Sequence, residues 1–156
     1  MGPLASPRQR VRVESSVTAG VIAGARIVTG GRRPATPVRG YYYEPTVFAD
    51  ADAGMAISRD EIYGPVVAVI PYESEAEAIE IANDSSYGLA GSVWTDDPER
   101  GLGIARRARV GTFGVNLYVP DIGAPWGGRK ASGMGSVYGP EGLQTYLATK
   151  CVFLPG

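Results

Sequence analysis

The chain of 156 residues contains no histidine and a single cysteine, Cys151. One cysteine cannot form a disulfide within the chain, and without histidine too few soft ligands remain for a zinc site, so we expect no metal. The same absence excludes catalytic centres that pair a serine or cysteine nucleophile with histidine. Cys151 lies between Lys150 and an apolar run, residues 152–154, which predicts a small buried side chain in preference to a reactive thiolate.

Long runs of one charge and long apolar runs are also lacking. Fifteen basic and sixteen acidic residues leave a net charge of −1, and no basic run exceeds two residues, so the sequence offers no surface for nucleic acid or an anionic membrane. The longest apolar run, residues 66–71, is far below the roughly 18 residues of a membrane span, and the N-terminus lacks the apolar core of a signal peptide. We therefore expect a soluble, cytoplasmic protein that forms one globular unit or part of one.

The first half of the chain predicts a helix followed by short strands. Ser6 before Pro7 is a helix start, and the helix should end near Gly24. Its apolar face is predicted from valines at every fourth position: Val13, Val17 and Val21. Strands are predicted at residues 25–29, 46–48 and 66–70. The last strand is an unbroken apolar run rich in β-branched residues, which favours burial on both faces, whereas residues 30–40 predict a solvated loop.

Residues 66–116 alternate between strand and helix patterns. One helix is predicted to start at a capping box formed by Ser74 and Glu77, and a second at an aspartate before Pro98. Further strands are expected at residues 90–94, where Trp94 would lie in the core, and at residues 112–116. This β-α-β-α-β order is typical of a parallel sheet in an α/β fold. So small a sheet would leave edges uncovered unless a further segment or another chain supplies the rest.

Residues 117–139 carry six glycines and no periodic pattern, and a loop of that length inside a compact domain is usually functional. Its segment GGRKASGMG (127–135) lacks the order of a phosphate-binding loop, so residue chemistry favours a structural turn over a flexible lid. Trp126 could wall an apolar pocket or simply cover the core. A short helix at residues 140–146 and an apolar strand at residues 149–154 complete the predicted elements.

The segment DEIYGPV, residues 60–66, is the clearest candidate binding site. Glu61 can accept two hydroxyl hydrogen bonds and Tyr63 can lie against a flat ring, while Gly64 and Pro65 restrict the backbone beside them. A ribose carrying a planar base would suit this pair. Each residue alone also fits a structural role, as a solvated carboxylate or as a core tyrosine with its hydroxyl at the surface. The fragment GLGIAR (101–106) lacks the preceding strand and the third glycine of a dinucleotide-binding fingerprint.

Several segments occur in the order found in the aldehyde dehydrogenase superfamily. The most specific are DEIYGPV (60–66), NDSSYGLAGSVWT (83–95) and PWGGRKASGMG (125–135). Together with GARIVTGG, GYYYEPTVFADAD and YGPEGLQTYLATK, they extend the resemblance over nearly the whole chain. The chain resembles the C-terminal portion of that family, which follows the catalytic cysteine. Ser136 and Val137 depart from the pattern, because relatives usually carry an Arg-Glu pair there.

The resemblance implies roles for three residues. Glu61 falls on the glutamate that holds the nicotinamide ribose, Tyr63 on the aromatic beside the nicotinamide, and Trp126 on an aromatic of the aldehyde tunnel. Such enzymes oxidise an aldehyde to a carboxylic acid through a cysteine thioester, with hydride transfer to NAD or NADP. That cysteine and the general-base glutamate would both precede residue 1, and so would the Rossmann-like half that binds the adenosine and pyrophosphate of the cofactor. We therefore expect no catalytic residue in this chain, no turnover by the chain alone, and no tight binding of NAD or NADP by it.

The implied fold is α/β, with a partial parallel, Rossmann-like sheet. Residues 1–139 would form the C-terminal part of the catalytic domain, and residues 140–156 a short helix and an oligomerisation tail. The tail strand would join the sheet of a neighbouring subunit, which implies a homo-oligomer acting on a small-molecule aldehyde. Two alternatives stay open. One is a non-catalytic interaction module derived from such an enzyme, and the other is a residual nucleotide-binding module that uses Glu61 and Tyr63.

Overall fold

The computed structural model describes residues 1–37 and 39–155. These residues form helices and short strands in a mixed α/β arrangement, divided into two compact units, Met1–Ser74 and Glu75–Gly156. In the described part of the chain, no helix is long and apolar enough to cross a membrane.

In its described residues, the first unit contains two helices and three strands. In chain order these are α1 (Pro7–Ile22), β1 (Arg26–Thr29), β2 (Thr46–Ala49), α2 (Ala56–Arg59) and β3 (Val66–Ala68). The strands form one sheet in the order β1-β2-β3, in which β2 runs antiparallel to β1 and parallel to β3.

The start of α1 follows the sequence prediction. The Ser6 hydroxyl oxygen accepts a hydrogen bond from the Gln9 N–H at 3.1 Å, and Pro7 occupies the first helical position, where its missing N–H costs nothing. Val13 and Val17 are buried as predicted and pack with Phe48 of β2 in the core of this unit. Val21, the third valine of the predicted face, is 49% exposed.

The predicted burial of residues 66–70 on both faces is wrong. Val67 is 58% exposed and Val69 is 49% exposed. The physical reason is that side chains alternate between the two faces of a strand: Val66, Ala68 and Ile70 pack against the core, while the described residues leave the opposite face open. Loop residues 30–37, 39 and 40 contain neither helix nor strand, in agreement with the prediction.

The second unit contains the remaining elements. They are α3 (Glu75–Asn83), β4 (Tyr87–Gly88), β5 (Ala90–Val93), α4 (Pro98–Arg107), β6 (Thr112–Val115), β7 (Trp126–Gly127), β8 (Arg129–Lys130), β9 (Ser136–Val137) and α5 (Gly139–Gln144). Strands β5 and β6 are parallel, while β4 pairs with β8 and β7 with β9 in antiparallel ladders. The predicted order of strands and helices is confirmed, but β3 belongs to the sheet of the first unit and β5 and β6 form a ladder of their own.

Helix α4 lies against the parallel pair β5 and β6. The Asp97 carboxylate accepts a hydrogen bond from the Arg100 N–H at 3.0 Å and caps the helix, as the aspartate before Pro98 predicts. Gly101 is buried, and a β-carbon there would lie 2.6 Å from Val115 Cγ1. Glycine therefore allows the helix backbone to approach β6 closely.

Three further predictions for the second unit are wrong. Trp94, expected in the core, directly follows β5 and is 73% exposed. Cys151, expected to be buried, is exposed, as are its neighbours Val152, Phe153 and Leu154. No strand forms in residues 149–155. A strand is defined by hydrogen bonds to a neighbouring strand, and residues 149–155 pair with no strand of the described chain.

Candidate functional site

The DEIYGPV loop (residues 60–66) connects α2 to β3 and is held by the first helix. Gln9 of α1 donates its side-chain amide protons to the carbonyl oxygens of Ile62, at 2.9 Å, and Tyr63, at 2.7 Å. The Pro65 carbonyl accepts from the Thr46 N–H at 2.8 Å, which joins the end of the loop to β2. The loop is thus fixed through its backbone, 53 residues along the chain from Gln9.

Gly64 brings the same loop against the buried core. A β-carbon at Gly64 would overlap Val13 Cγ2, and Val13 is completely buried. Because a packed core side chain has little freedom to move away, this approach requires glycine.

Tyr63 has a backbone conformation that is rare for a side-chain-bearing residue. Its φ angle is 52°, in the left-handed region, which costs a residue other than glycine about 1 kcal/mol. The Tyr63 side chain is 75% exposed and the Glu61 side chain is exposed as well. The carboxylate and the aromatic ring predicted to bind a ribose and a flat ring are therefore both presented to solvent from a turn whose backbone is anchored. Strained backbone of this kind is concentrated at binding sites.

A cavity of about 440 Å³ in the second unit is the other candidate site. It lies beside β6 and the cavity loop, defined here as residues 117–126. Most of its lining is apolar or aromatic, including Phe113, Val115, Leu117, Val119, Pro125 and Trp126. Trp126 is half-buried and forms part of this lining. Trp126 thus lies in the wall of a pocket whose exposed surface is part polar and part apolar.

A chain of hydrogen bonds connects Trp126 to the edge of β5. The indole nitrogen of Trp126 lies 3.2 Å from the Tyr118 hydroxyl oxygen, which lies 2.8 Å from Thr112 Oγ1. Thr112 Oγ1 is in turn 3.1 Å from the carbonyl oxygen of Leu89. Thr112, Tyr118 and Trp126 all line the cavity, so the same side chains that form its wall also hold each other in place.

The start of the cavity loop is fixed by Asn116. Its side-chain oxygen accepts from the Thr95 N–H at 2.7 Å, and its side-chain nitrogen donates to the Thr95 carbonyl at 2.6 Å. The Asn116 amide thus extends the parallel pairing one step past the end of β5 and β6. Its own φ angle is 55°, which asparagine tolerates better than most residues. The chain can therefore turn sharply away from β6 into the cavity loop.

The glycine-rich segment 127–135 has the structural role that residue chemistry favours. Lys130 donates through Nζ to the carbonyl oxygens of Asn83, at 2.8 Å, and Ser85, at 3.0 Å. The Ser132 hydroxyl oxygen accepts from the Gly88 N–H at 3.0 Å. These contacts tie the segment to the end of α3 and to β4, so its Lys and Ser side chains are engaged with backbone groups.

The groups whose pKa is shifted lie along α1 and near β2. A two-point hydrogen bond to Arg33, at 2.5 and 2.9 Å, holds the pKa of the Glu14 carboxyl below its usual value, and the same contact raises the pKa of Arg33. Burial raises the pKa of Tyr43. Among the described residues, no cluster of three or more carboxylate, cysteine or histidine side chains could hold a metal ion.

The order and the geometry of these segments can be compared with known proteins. The profile of the aldehyde dehydrogenase family matches residues 1–152. The chain belongs to the aldehyde dehydrogenase family. A geranial dehydrogenase of Castellaniella defragrans is 49% identical over 156 residues, which are 100% of this chain and 32% of the relative. A betaine aldehyde dehydrogenase of Bacillus subtilis is 44% identical over 155 residues, covering 97% of this chain and 32% of the relative.

Solved structures of aldehyde dehydrogenases have the same fold. The Mycobacterium tuberculosis aldehyde dehydrogenase complexed with NAD+ matches with a TM-score of 0.98 and 52% identity, over 99% of this chain and 32% of that one. The apo betaine aldehyde dehydrogenase of Staphylococcus aureus, a G234S mutant, gives a TM-score of 0.93 and 42% identity, over 96% of this chain and 30% of that one. The chain thus spans about a third of the length of the aldehyde dehydrogenases that it matches.

Sequence reasoning missed Gln9, Thr112 and Tyr118 in this aldehyde dehydrogenase segment. A signal for Gln9 existed, because Ser6 followed three positions later by glutamine is a capping-box pattern. That pattern predicts a hydrogen bond from Gln9 back to the helix start, whereas the side chain binds the DEIYGPV loop. Thr112 and Tyr118 carry no comparable signal, because their contacts run between a strand and a loop without periodicity.

Proposed function

We propose that this segment provides the nicotinamide end of the cofactor site and part of the aldehyde pocket in an enzyme that oxidises an aldehyde to a carboxylic acid with NAD. The observation that carries the proposal is the DEIYGPV loop, which exposes Glu61 and Tyr63 while Gln9 and Val13 fix its backbone. The Mycobacterium tuberculosis relative is complexed with NAD+, which supports NAD as the cofactor.

The residues present fit a nicotinamide riboside by their chemistry. The Glu61 carboxylate can accept hydrogen bonds from both ribose hydroxyls, a charge-assisted interaction that contributes about 1.5 to 3 kcal/mol. The exposed ring of Tyr63 offers a flat apolar face to the nicotinamide. When bound, the cofactor supplies a hydride acceptor. The role of these side chains is to orient the nicotinamide. An oriented nicotinamide lowers the barrier to hydride transfer, because the carbon that gives the hydride and the carbon that accepts it are held in contact.

We further propose that these 156 residues alone do not turn over aldehydes. Oxidation through a thioester requires a cysteine beside the aldehyde carbon. Cys151, the single cysteine of the chain, is exposed in the segment after α5 and does not line the cavity that contains Trp126. Groups that only orient a substrate cannot replace a covalent nucleophile. Steady formation of NADH from NAD and aldehydes by the purified chain would refute this part of the proposal.

The cofactor role can be tested with nicotinamide riboside, which avoids the need for a site for the adenosine half. Saturation-transfer NMR would measure its affinity for the purified chain and for Glu61→Gln. We expect the substitution to weaken binding about tenfold, because the amide keeps the shape but loses the charge. Glu80→Gln, an exposed glutamate of α3, is the matched control and should bind as the parent does. Equal affinity in the parent and Glu61→Gln would contradict the proposal.

A second proposed function is assembly through the C-terminal segment. Its large apolar side chains are strongly exposed: Tyr146 81%, Leu147 65%, Val152 69%, Phe153 90% and Leu154 84%. Exposed apolar side chains grouped in this way are typical of an interaction site, and an extended segment can add a strand to an open sheet edge. Light scattering should show concentration-dependent oligomers that are lost in a Val152→Ser, Leu154→Ser double variant. A monomer at high concentration would exclude this role for the chain alone.

A further inference from the structure

The hydrogen bonds that connect Trp126, Tyr118, Thr112 and Leu89 have one possible direction. The Leu89 carbonyl can only accept, so the Thr112 hydroxyl donates to it. The single hydroxyl proton of Thr112 is then used, and the Tyr118 hydroxyl must donate to Thr112. The indole N–H of Trp126 can only donate, and it donates to the Tyr118 oxygen. Every proton in this series of hydrogen bonds is thus directed away from the indole, towards the backbone of Leu89.

This direction determines which polar groups the cavity wall can offer to a ligand. The protons of Trp126, Tyr118 and Thr112 are all engaged within the hydrogen-bond chain, so these three side chains keep only acceptor lone pairs and ring faces. The carboxylate of Asp121, which also lines the cavity, is an acceptor and takes the Gly123 N–H at 2.8 Å. The side chains of the wall therefore present acceptors and apolar surface but no side-chain donor.

A ligand carbonyl placed against these side chains loses hydrogen bonds to water and receives none from them. Burying an acceptor without a donor is unfavourable, whereas an alkyl group loses nothing of this kind. We propose that Tyr118 is a positioning residue that, through Trp126, makes the cavity select aldehydes with an apolar tail over aldehydes with a carbonyl in the tail. This inference rests on the proposed role of the cavity as an aldehyde pocket.

The test first detects the hydrogen-bond chain without any ligand. A Trp94→Phe background leaves Trp126 as the single tryptophan, because the sequence has two and Trp94 is 73% exposed. The indole N–H of Trp126 is then observed by ¹⁵N–¹H NMR. Tyr118→Phe should shift its proton upfield and speed its exchange with water about tenfold, since a hydrogen bond to the hydroxyl is lost. Thr112→Val should have a smaller effect in the same direction, and Thr112→Ser, which keeps the hydroxyl, should match the background.

The second measurement compares two alcohols, chosen because they do not form Schiff bases with lysine. Hexan-1-ol has an apolar tail, and 6-hydroxyhexan-2-one has the same hydroxyl end with a ketone in the tail. The background protein should bind hexan-1-ol more tightly. Tyr118→Phe frees the indole N–H, so the ketone should bind about tenfold more tightly while hexan-1-ol is unchanged. Loss of structure in the variant would weaken the binding of both ligands, so it could not produce a gain in affinity for one ligand alone.

Each failure has a separate meaning. An indole resonance that is the same in Tyr118→Phe and the background would overturn the hydrogen-bond chain itself. Binding of both alcohols with a preference that does not change in Tyr118→Phe would overturn the selectivity and leave the aldehyde pocket standing. A folded background protein that binds neither alcohol would overturn the pocket, and this inference with it. Should Tyr118→Phe fail to fold, Thr112→Val carries the comparison, because it frees the Tyr118 hydroxyl proton and should again tighten binding of the ketone alone.

Discussion

The DEIYGPV loop and the cavity loop are held in place by different kinds of contact. In the DEIYGPV loop, backbone carbonyls accept from Gln9, and the side chains of Glu61 and Tyr63 are left exposed. In the cavity loop, the side chains of Tyr118 and Trp126 are both the supports and the wall. A backbone-held loop can change its binding side chains without losing its shape. The cavity loop cannot do so, because the side chains that line the cavity also hold the loop in place. Replacing one of them changes the contacts of the loop as well as its specificity.

The energies of the contacts in the DEIYGPV loop agree with a loop that is held through its backbone. The left-handed conformation of Tyr63 costs about 1 kcal/mol, whereas each hydrogen bond from Gln9 contributes about 1 kcal/mol. Two such bonds outweigh the strain of one residue. The loop conformation is therefore stable without any contribution from Glu61 or the Tyr63 ring.

The largest effect is expected where the cavity loop meets the strand before it. Gly114 of β6 is buried, and a β-carbon there would overlap the Leu117 carbonyl oxygen. A backbone atom cannot rotate away as a side chain can, so Gly114→Ala should displace the loop and lower the free energy of unfolding by about 3 kcal/mol. Urea denaturation followed by tryptophan fluorescence measures this loss.

Gly103→Ala provides the matched control for Gly114→Ala. Gly103 lies inside α4, and a β-carbon there would meet open space. Since alanine favours a helix interior by about 1 kcal/mol over glycine, this variant should be more stable than the parent. If Gly114→Ala unfolds at the same urea concentration as the parent, the cavity loop is not fixed by its approach to β6.

The next effect concerns the packing of the DEIYGPV loop on α1. Gly64→Ala places a methyl group against Val13 Cγ2 and should lower the free energy of unfolding by about 2 kcal/mol. Val13→Ala alone should cost about as much, because it leaves a cavity in the core. The double variant should lose less than the sum, with a coupling of about 1 kcal/mol measured by a urea double-mutant cycle. Simple additivity would show that the two residues are not in contact.

A smaller effect is expected from the hydrogen bonds of Gln9. Gln9→Met keeps the length of the side chain and removes both donors, which should cost about 1 to 2 kcal/mol. The Tyr63 backbone should then relax from its left-handed conformation, which the three-bond coupling between its amide and α protons reports by NMR. Arg8→Met, an exposed neighbour on the same helix, is the control and should leave the coupling unchanged. A Tyr63 φ that persists in Gln9→Met would show that Gly64 packing alone fixes the loop.

Local features of the fold could be predicted from the sequence, and features that depend on distant partners could not. The starts of α1 and α4 were predictable because Ser6 and Asp97 bond within their own first turn. The burial of Trp94 and Cys151 was predicted wrongly, because burial depends on what covers a side chain, which the neighbouring residues do not specify. The same holds for Gln9, whose partners lie 53 and 54 residues away.

The candidate sites divide in the same way. Glu61 and Tyr63 could be proposed from chemistry at adjacent positions, and their roles remain predictions. For Trp126 the sequence left two environments open, the wall of a pocket and the cover of the core. The partners that orient it could not be found without coordinates, since Thr112 and Tyr118 meet through a strand and a loop whose pairing has no sequence period.

The smallest effect on stability is expected for a third kind of contact, the charge pair between α1 and the loop after β1. Glu14 and Arg33 form this pair, but more than half of the Arg33 side chain is exposed, so solvent screens the attraction between the two charges. Because the folded-state pKa of Glu14 is lowered from 4.5, the stabilisation is present above that value and is lost as the pH falls through the lower folded-state pKa. Urea unfolding of Glu14→Gln should show a small loss of stability at neutral pH, below all the effects above, and none in acid once Glu14 is protonated. Glu80→Gln should show no such pH dependence. A loss in Glu14→Gln that persists in acid would mean that packing of the side chain, and not its charge, holds the loop to α1.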